Sequence, residues 1–264
     1  MGLENIMSLS LSGKRAVVCG STDGIGKATA YKLAEQGAEI ILVARNPKKL
    51  DKTLHDLPVK NDQNHNMICA DFNLPEELEK HISELSDFVH ILVNNSGGPP
   101  GGPLVEAKKE EFRLAFERHV ICNQILAKAF VPCMKELGFG RIINIISTSV
   151  KQVIPGLGVS NTTRGAVANW ARTLALELGQ FGITVNNILP GYTDTGRLQS
   201  LAETRAKEQG VTVDDIRAGW VKSVPLARIG KPDEIASAVS FLASDAAGYI
   251  NGADIPVDGG RVGI

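Results

Sequence analysis

The sequence predicts a doubly wound α/β fold, one parallel sheet of seven strands with helices on both faces. Three observations carry that expectation. Short apolar runs alternate with longer amphipathic segments almost to the C-terminus, as repeated βα units do. No internal repeat, low-complexity tract or Gly/Ser linker divides the chain. Its 264 residues, 43% hydrophobic, suffice for one large core. A single domain over residues 1–264 is therefore expected.

Taken in order, strands are read near Arg15–Cys19, Glu39–Val43, Asn66–Cys69, Val89–Val93, Arg141–Ile146, Thr184–Ile188 and Asp254–Val257, each a short run dominated by apolar and β-branched residues. Helices are read over about Ile25–Gln36, Pro47–Leu57, Pro75–Leu85, Lys109–Leu137, Asn161–Gln180 and Pro232–Ala243. Three of them open on proline, which suits the first helical turn because its missing N–H has no partner there anyway. Two segments break the alternation. Gly97–Gly102, Gly-Gly-Pro-Pro-Gly-Gly, excludes regular structure. Gly196–Val224 is a charged, helix-prone insert, expected to form a lid over a substrate. Both come after the carboxyl end of a strand, where open α/β sheets place their ligands.

Composition excludes several function classes. A net charge of −1 without long runs of one sign gives no electrostatic basis for binding nucleic acid or an anionic membrane. Small molecules and copies of the same chain are the expected partners. Cys19, Cys69, Cys122 and Cys133 show no C-x-x-C spacing and read as free thiols of a reducing compartment, with no metal site. No apolar stretch approaches the roughly 20 residues that span a bilayer. The start Met1-Gly2-Leu3-Glu4-Asn5-Ile6 carries an acid where a signal peptide is basic, and position 6 lacks the Ser or Thr that myristoylation favours. A cytoplasmic protein is expected.

The first strand runs into Gly20-Ser21-Thr22-Asp23-Gly24-Ile25-Gly26, a G-x-x-x-G-x-G spacing that opens a helix. Glycines at these places let the turn close and let the backbone approach a pyrophosphate, whose charge the helix N-terminal amides stabilise. A P-loop would need Gly at 21 and Ser or Thr at 28, where Ser21 and Ala28 stand. A glycine-rich turn used only for packing is the alternative. About twenty residues on, the second strand ends Val43-Ala44-Arg45-Asn46. No carboxylate is present to grip a ribose 2′-hydroxyl. The Arg45 fork suits a 2′-phosphate instead, which favours NADP(H) over NAD(H). A solvated strand-end arginine remains the alternative, as a solvated face does for Lys48, Lys49 and Lys52.

From Lys14 to Gly260 these motifs resemble the short-chain dehydrogenase/reductase family, whose fold is of the Rossmann type. The resemblance assigns Asp71 to the adenine. It matches Asn94-Asn95-Ser96-Gly97 to the family's N-N-A-G turn, and Asn186 with Pro190-Gly191-Tyr192-Thr193-Asp194-Thr195 to the stretch that holds the nicotinamide amide. Ser147, after the strand Arg141–Ile146, matches the serine that polarises the substrate carbonyl. The family's tyrosine and lysine stand thirteen and seventeen positions further on, where this chain has Ser160 and Arg164. His119 stands at the position of a further family asparagine.

Those replacements alter the chemistry. A serine is a poorer acid than a phenol, and its oxygen reaches about 4 Å less far from the backbone. A water held by Ser160 can fill the gap. Arg164 can hold ribose hydroxyls, yet it stays protonated and cannot relay a proton. Lys151, His119 and Tyr192 are the candidate donors, each with an ordinary alternative: a solvated lysine, a packed histidine, a tyrosine against cofactor or lid. Trp170 reads as part of a packing face, and Trp220 as a pocket wall or a lid anchor. By resemblance the chain is a homotetramer and an NADP(H)-dependent oxidoreductase similar to 3-oxoacyl-thioester reductases. A catalytically degenerate NADP(H)-binding sensor or assembly protein is the alternative.

Overall fold

A computed structural model describes residues 8–60, 62–85 and 88–262. The N-terminal hexapeptide read for targeting lies outside them. Chain order gives β1 (Arg15–Cys19), α1 (Gly24–Glu35), β2 (Glu39–Ala44), α2 (Pro47–Asp56), β3 (Asn66–Cys69), α3 (Pro75–Ser83), β4 (Ile91–Asn94), α4 (Lys109–Phe116), α5 (Cys122–Leu137), β5 (Gly140–Ile145), α6 (Gly158–Leu178), β6 (Ile183–Pro190), α7 (Gly196–Gln209), α8 (Val213–Lys222), α9 (Pro232–Ala243) and β7 (Asp254–Val257). The strands form one sheet in the order β3-β2-β1-β4-β5-β6-β7, and each neighbouring pair is parallel.

Strand pleating divides the core in two. Ala16 and Val18 of β1 face Leu33 of α1 and Val239 of α9. Val17 and Cys19 face the other way, toward Leu126 and Phe130 of α5 and Ala171 of α6. Because both faces are covered, β1, β2 and β4 read as continuous apolar runs apart from a polar residue at one end, rather than alternating ones. The winding reverses between β1 and β4. Their carboxyl ends therefore open into one crevice, with the glycine turn on one side and the Gly97–Gly102 segment on the other.

Two expectations are refined. The helix read over 109–137 is interrupted: Glu117–Ile121 form a π-helical turn between α4 and α5. A π turn inserts one residue and rotates the helix beyond it. Here it carries His119, only 1% exposed, into the interior behind the crevice. The insert after Thr195 is two helices, α7 and α8, packed on a small core of their own: Leu198, Ala202, Ala206, Ile216 and Trp220, with Tyr192 against it. Among the described residues no helix is long and apolar enough to cross a membrane.

Candidate active site

Four residues build the turn between β1 and α1. Gly20 and Gly24 adopt φ of +60° and +48°, the left-handed region that glycine enters without strain. Gly26 is needed for a different reason: a Cβ there would stand 2.1 Å from the Gly20 carbonyl oxygen. Asp23 caps α1, its Oδ1 accepting from the Gly24 amide at 2.8 Å. Asn95 pins the turn from β4's side, its Nδ2 donating to the Cys19 carbonyl at 3.2 Å. The result is a cradle at a helix N-terminus with no Cβ at Gly20, Gly24 and Gly26, and these residues fit the diphosphate of a dinucleotide.

Two of the hollows that border the cradle hold the residues expected at the site. One lies toward β2 and is bordered by Thr22, Arg45, Lys49 and Asp71. Arg45 Nη1 stands 3.8 Å from Asp71 Oδ2, and Lys49 Nζ 3.8 Å from Asp23 Oδ2. Lys49 thus borders the site, where its sequence context suggests only a solvated face. The local signal for it is Asn46, whose Oδ1 accepts from the Lys49 amide at 3.0 Å and so sets the first turn of α2 beside Arg45. The other hollow, about 460 Å³, runs from Gly20, Gly24 and Ile25 past Ser96 and Gly97 to Ser147, Ser160 and Arg164, with Pro190, Gly191, Tyr192 and Thr195 on the far wall. Thr195 closes the cleft against the cradle, because a Cβ at Gly24 would lie 3.0 Å from its Cγ2.

Ser147 lies two residues past the end of β5 and caps a short turn. Its Oγ accepts from the Ser149 amide at 3.1 Å, which leaves its own proton for a ligand in the cleft. Arg164 reaches the same region from α6, but its guanidinium is largely engaged: Nη1 donates to the Ile145 carbonyl at 3.0 Å and Nη2 to the Ser96 carbonyl at 3.2 Å. It therefore ties β5 to the loop after β4 rather than standing free for a ribose. Burial, with Arg197 nearby, lowers its pKa to about 10, so it remains a cation.

His119 lies behind this group, its Nδ1 2.6 Å from Ser96 Oγ. Burial, then the charges of Arg164 and Arg118, push its pKa down to about 2. A neutral imidazole at every working pH is no proton carrier. Holding that ring neutral also ties stability to pH. The unfolded imidazole titrates near 6.5, so below that pH the unfolded chain takes up a proton that the fold excludes, and stability falls as pH falls from about 6.5 toward 2. Between pH 7 and 5 this one group costs about 2 kcal/mol. His119→Gln is expected to reduce the difference in unfolding free energy between those two pH values, read from urea titrations, by that amount. An unchanged difference would refute the assignment.

Three residues assigned to the site by sequence face elsewhere. Asn94, 2% exposed, turns into the sheet. Its Nδ2 donates to Asn144 Oδ1 at 2.8 Å, Asn144 to Asn187 Oδ1 at 2.9 Å, and Asn187 to Asp254 Oδ1 at 2.8 Å. Those four residues are register partners across β4, β5, β6 and β7, so parallel pairing places one polar side chain beside the next. Asn95 takes the place at the cleft. Asp254 ends the chain of amides and holds Arg172 at 2.6 Å and Lys151 at 3.1 Å. Lys151 is thereby drawn out of the cleft. Ser21 is fully buried, and its N–H and hydroxyl both donate to the Val43 carbonyl, at 3.4 and 3.3 Å. It braces the turn on β2. Of the candidate donors, Tyr192 alone lines the cleft, its ring stacked on Trp220 at 5.0 Å and 14°.

The sequence pattern of a family described as enoyl-(acyl carrier protein) reductase matches residues 20–261. Dehydrogenase/reductase SDR family member 4 of Oryctolagus cuniculus is 31% identical over 254 residues, 95% of this chain and 94% of that protein. The 3-oxoacyl-(acyl-carrier-protein) reductase of Haemophilus influenzae is 34% identical over 250 residues, 95% of this chain and 98% of the reductase. L-Sorbose reductase from Gluconobacter frateurii, solved with NADPH and L-sorbose, has a TM-score of 0.88 at 31% identity over 98% of this chain and 100% of its own. With cradle, switch-point cleft and β5 serine all present, and with likeness of this extent, the chain belongs to the short-chain dehydrogenase/reductase family of oxidoreductases.

Proposed function

We propose that the chain is an NADP(H)-dependent oxidoreductase acting on a carbonyl or alcohol carbon, with Ser147 donating a hydrogen bond to the reacting oxygen. The observation that carries this reading is one continuous cleft joining the Gly20–Gly26 cradle to the Ser147 hydroxyl. When bound, the dinucleotide supplies or accepts the hydride. The cradle amides hold its diphosphate, and Pro190, Gly191 and Thr195 line the same cleft as Ser147. Proton transfer falls to the Tyr192 phenol or to a water held by Ser160. Arg164 supplies fixed positive charge beside both serines. The likeness to the H. influenzae reductase supports a 3-oxoacyl-like carbonyl compound as substrate. The test is NADPH oxidation across a panel of ketones, 3-oxoacyl thioesters and quinones, with Ser147→Ala as control. Turnover that survives in the control would count against the role of Ser147.

Arg45 and Lys49 support the preference for NADP(H), since both are exposed and their ion pairs with Asp71 and Asp23 are loose, at 3.8 Å each. A charge-assisted hydrogen bond contributes roughly 1.5–3 kcal/mol. Arg45→Ala with Lys49→Ala is accordingly expected to weaken NADPH about 10- to 100-fold in a fluorescence titration and NADH by less than about threefold. Equal losses for the two dinucleotides would remove the 2′-phosphate from this hollow. A homotetramer belongs to the same reading, supported by the exposed apolar Leu114, Phe116 and Ile121 along α4 and the π turn, and by Leu176 on α6. The exposed free thiol of Cys69 supports a reducing, cytoplasmic compartment.

One observation favours the sensor reading. Arg164 is tied to backbone, His119 stays neutral and Lys151 is paired with Asp254, so of the candidate donors the cleft keeps Tyr192 alone, away from the position where the family has its tyrosine. Tight NADPH binding with no turnover on any panel member would decide for it.

A further inference from the structure

Arginines crowd the substrate end of the cleft without counter-charge. Arg164, Arg197, Arg205 and Arg261 all line it. The nearby acids are engaged elsewhere: Asp194 pairs with Arg217 at 2.9 Å, and the Asp258 carboxylate accepts from the amides of Gly260 and Val262 at 3.0 and 2.7 Å. Among the described residues, Asp23 is the acidic side chain on the lining, and it sits at the glycine turn beside Lys49. Like charges gathered in a partly desolvated cleft repel one another and raise the local concentration of anions.

Two of the four are accounted for. Arg164 holds the Ile145 and Ser96 carbonyls. Arg197 donates to the Pro99 carbonyl at 2.6 Å, and a Cβ at Gly98 would lie 3.8 Å from its Nη2, which keeps it over the loop that borders the cofactor cradle. Arg205 and Arg261 are placed differently, on the lid and the C-terminal tail. Arg261 lies over the Tyr192 ring at 4.7 Å, Tyr192 stacks on Trp220, and Arg205 lies 5.9 Å from the Trp220 ring. Arg205 has one long hydrogen bond, 3.5 Å to the Pro155 carbonyl. A guanidinium attracted to a ring face still has N–H groups to offer a ligand.

We propose that the substrate carries an anionic group, a carboxylate or a phosphate, bound by Arg205 and Arg261, with its carbon chain against Ile154, Leu157 and Leu201. The word substrate rests on the oxidoreductase reading; the anion site itself does not. In-plane arginine donors match the paired oxygens of either anion, and the apolar lining matches a short carbon chain running toward Ser147.

The test is calorimetric binding to the full chain saturated with NADP⁺, using oxo acids whose ketone lies one to five carbons from the carboxylate, levulinate among them, beside their methyl esters. The best acid is expected to bind on the order of 10- to 100-fold more tightly than its ester, with affinity falling as salt rises. In Arg205→Gln with Arg261→Gln that ratio is expected to drop to about one, and Arg205→Lys with Arg261→Lys to restore part of it. Competition by inorganic phosphate stronger than by acetate assigns the anion as phosphate; the reverse assigns carboxylate. No acid binding, equal affinity for acid and ester, or a preference that the glutamine variant keeps would each overturn the proposal. Acid preference lost in the glutamine variant, with no turnover of any member, keeps the anion site and removes the oxidoreductase reading. Turnover without acid preference does the opposite.

Discussion

Ser147→Ala is expected to lower kcat for carbonyl reduction by about 10²- to 10³-fold, the usual cost of removing one donor from a developing oxyanion. The geometry makes the serine hard to replace. Its Oγ already accepts the Ser149 amide, and its hydroxyl proton stays available to a group in the cleft that Ser147 lines. The other polar groups of that wall are committed or differently placed: Arg164 to two carbonyls, Asn95 to the glycine turn, Thr195 to the Thr193 carbonyl and to capping α7. Because Ser147 lies at the end of the cleft away from Arg45, dinucleotide affinity should stay within about threefold, which separates loss of chemistry from loss of binding. The lost cap costs about 1 kcal/mol of stability, small enough to assay the variant folded. Steady-state NADPH oxidation and a dinucleotide titration check both halves. A kcat within about threefold of the parent would remove Ser147 from the reacting oxygen.

How much is legible in the sequence depends on the range of the interactions involved. β1, β3, β7 and α9 form at their expected limits, because short apolar runs and a proline at the first helical position are local signals. The glycine turn is legible for the same reason. The features hidden from the sequence depend on partners far along the chain. Nothing between Lys109 and Val131 is Gly or Pro, so the π turn that buries His119 has no marker. Asn94 and Asn95 look alike in sequence; only the register against Asn144 sends one into the sheet and leaves the other at the cleft. Lys151 is a reasonable donor until Asp254, about a hundred residues on, is placed beside it. Arg164 stands where the family has a lysine, and its fork spans two carbonyls from different strands' ends. The basic end of the cleft joins Arg205 to Arg261 through Trp220 and Tyr192. Composition does not reveal it, since the whole chain is nearly neutral.

Gly26→Ala is expected to abolish dinucleotide binding, by more than about 100-fold, and to destabilise the fold by about 1–3 kcal/mol through overpacking. The added methyl would stand 2.1 Å from the Gly20 oxygen and 2.7 Å from Asn95 Nδ2. Neither atom can yield cheaply. Gly20 O belongs to the backbone of the cradle, and Asn95 holds that backbone through the Cys19 carbonyl. Relief requires α1 to move away from β1, which carries the amides off the diphosphate position, so stability and binding fall together. Gly165→Ala provides the contrast. It makes the same chemical change in the middle of α6, where a Cβ meets nothing within 4 Å. There the methyl only restricts the unfolded chain, and a gain of about 0.5–1 kcal/mol is expected. Urea denaturation and NADPH titration of both variants read the sign directly. Were Gly26→Ala to bind NADPH as the parent does, close approach at the turn would serve packing alone, and the diphosphate would have to be placed elsewhere.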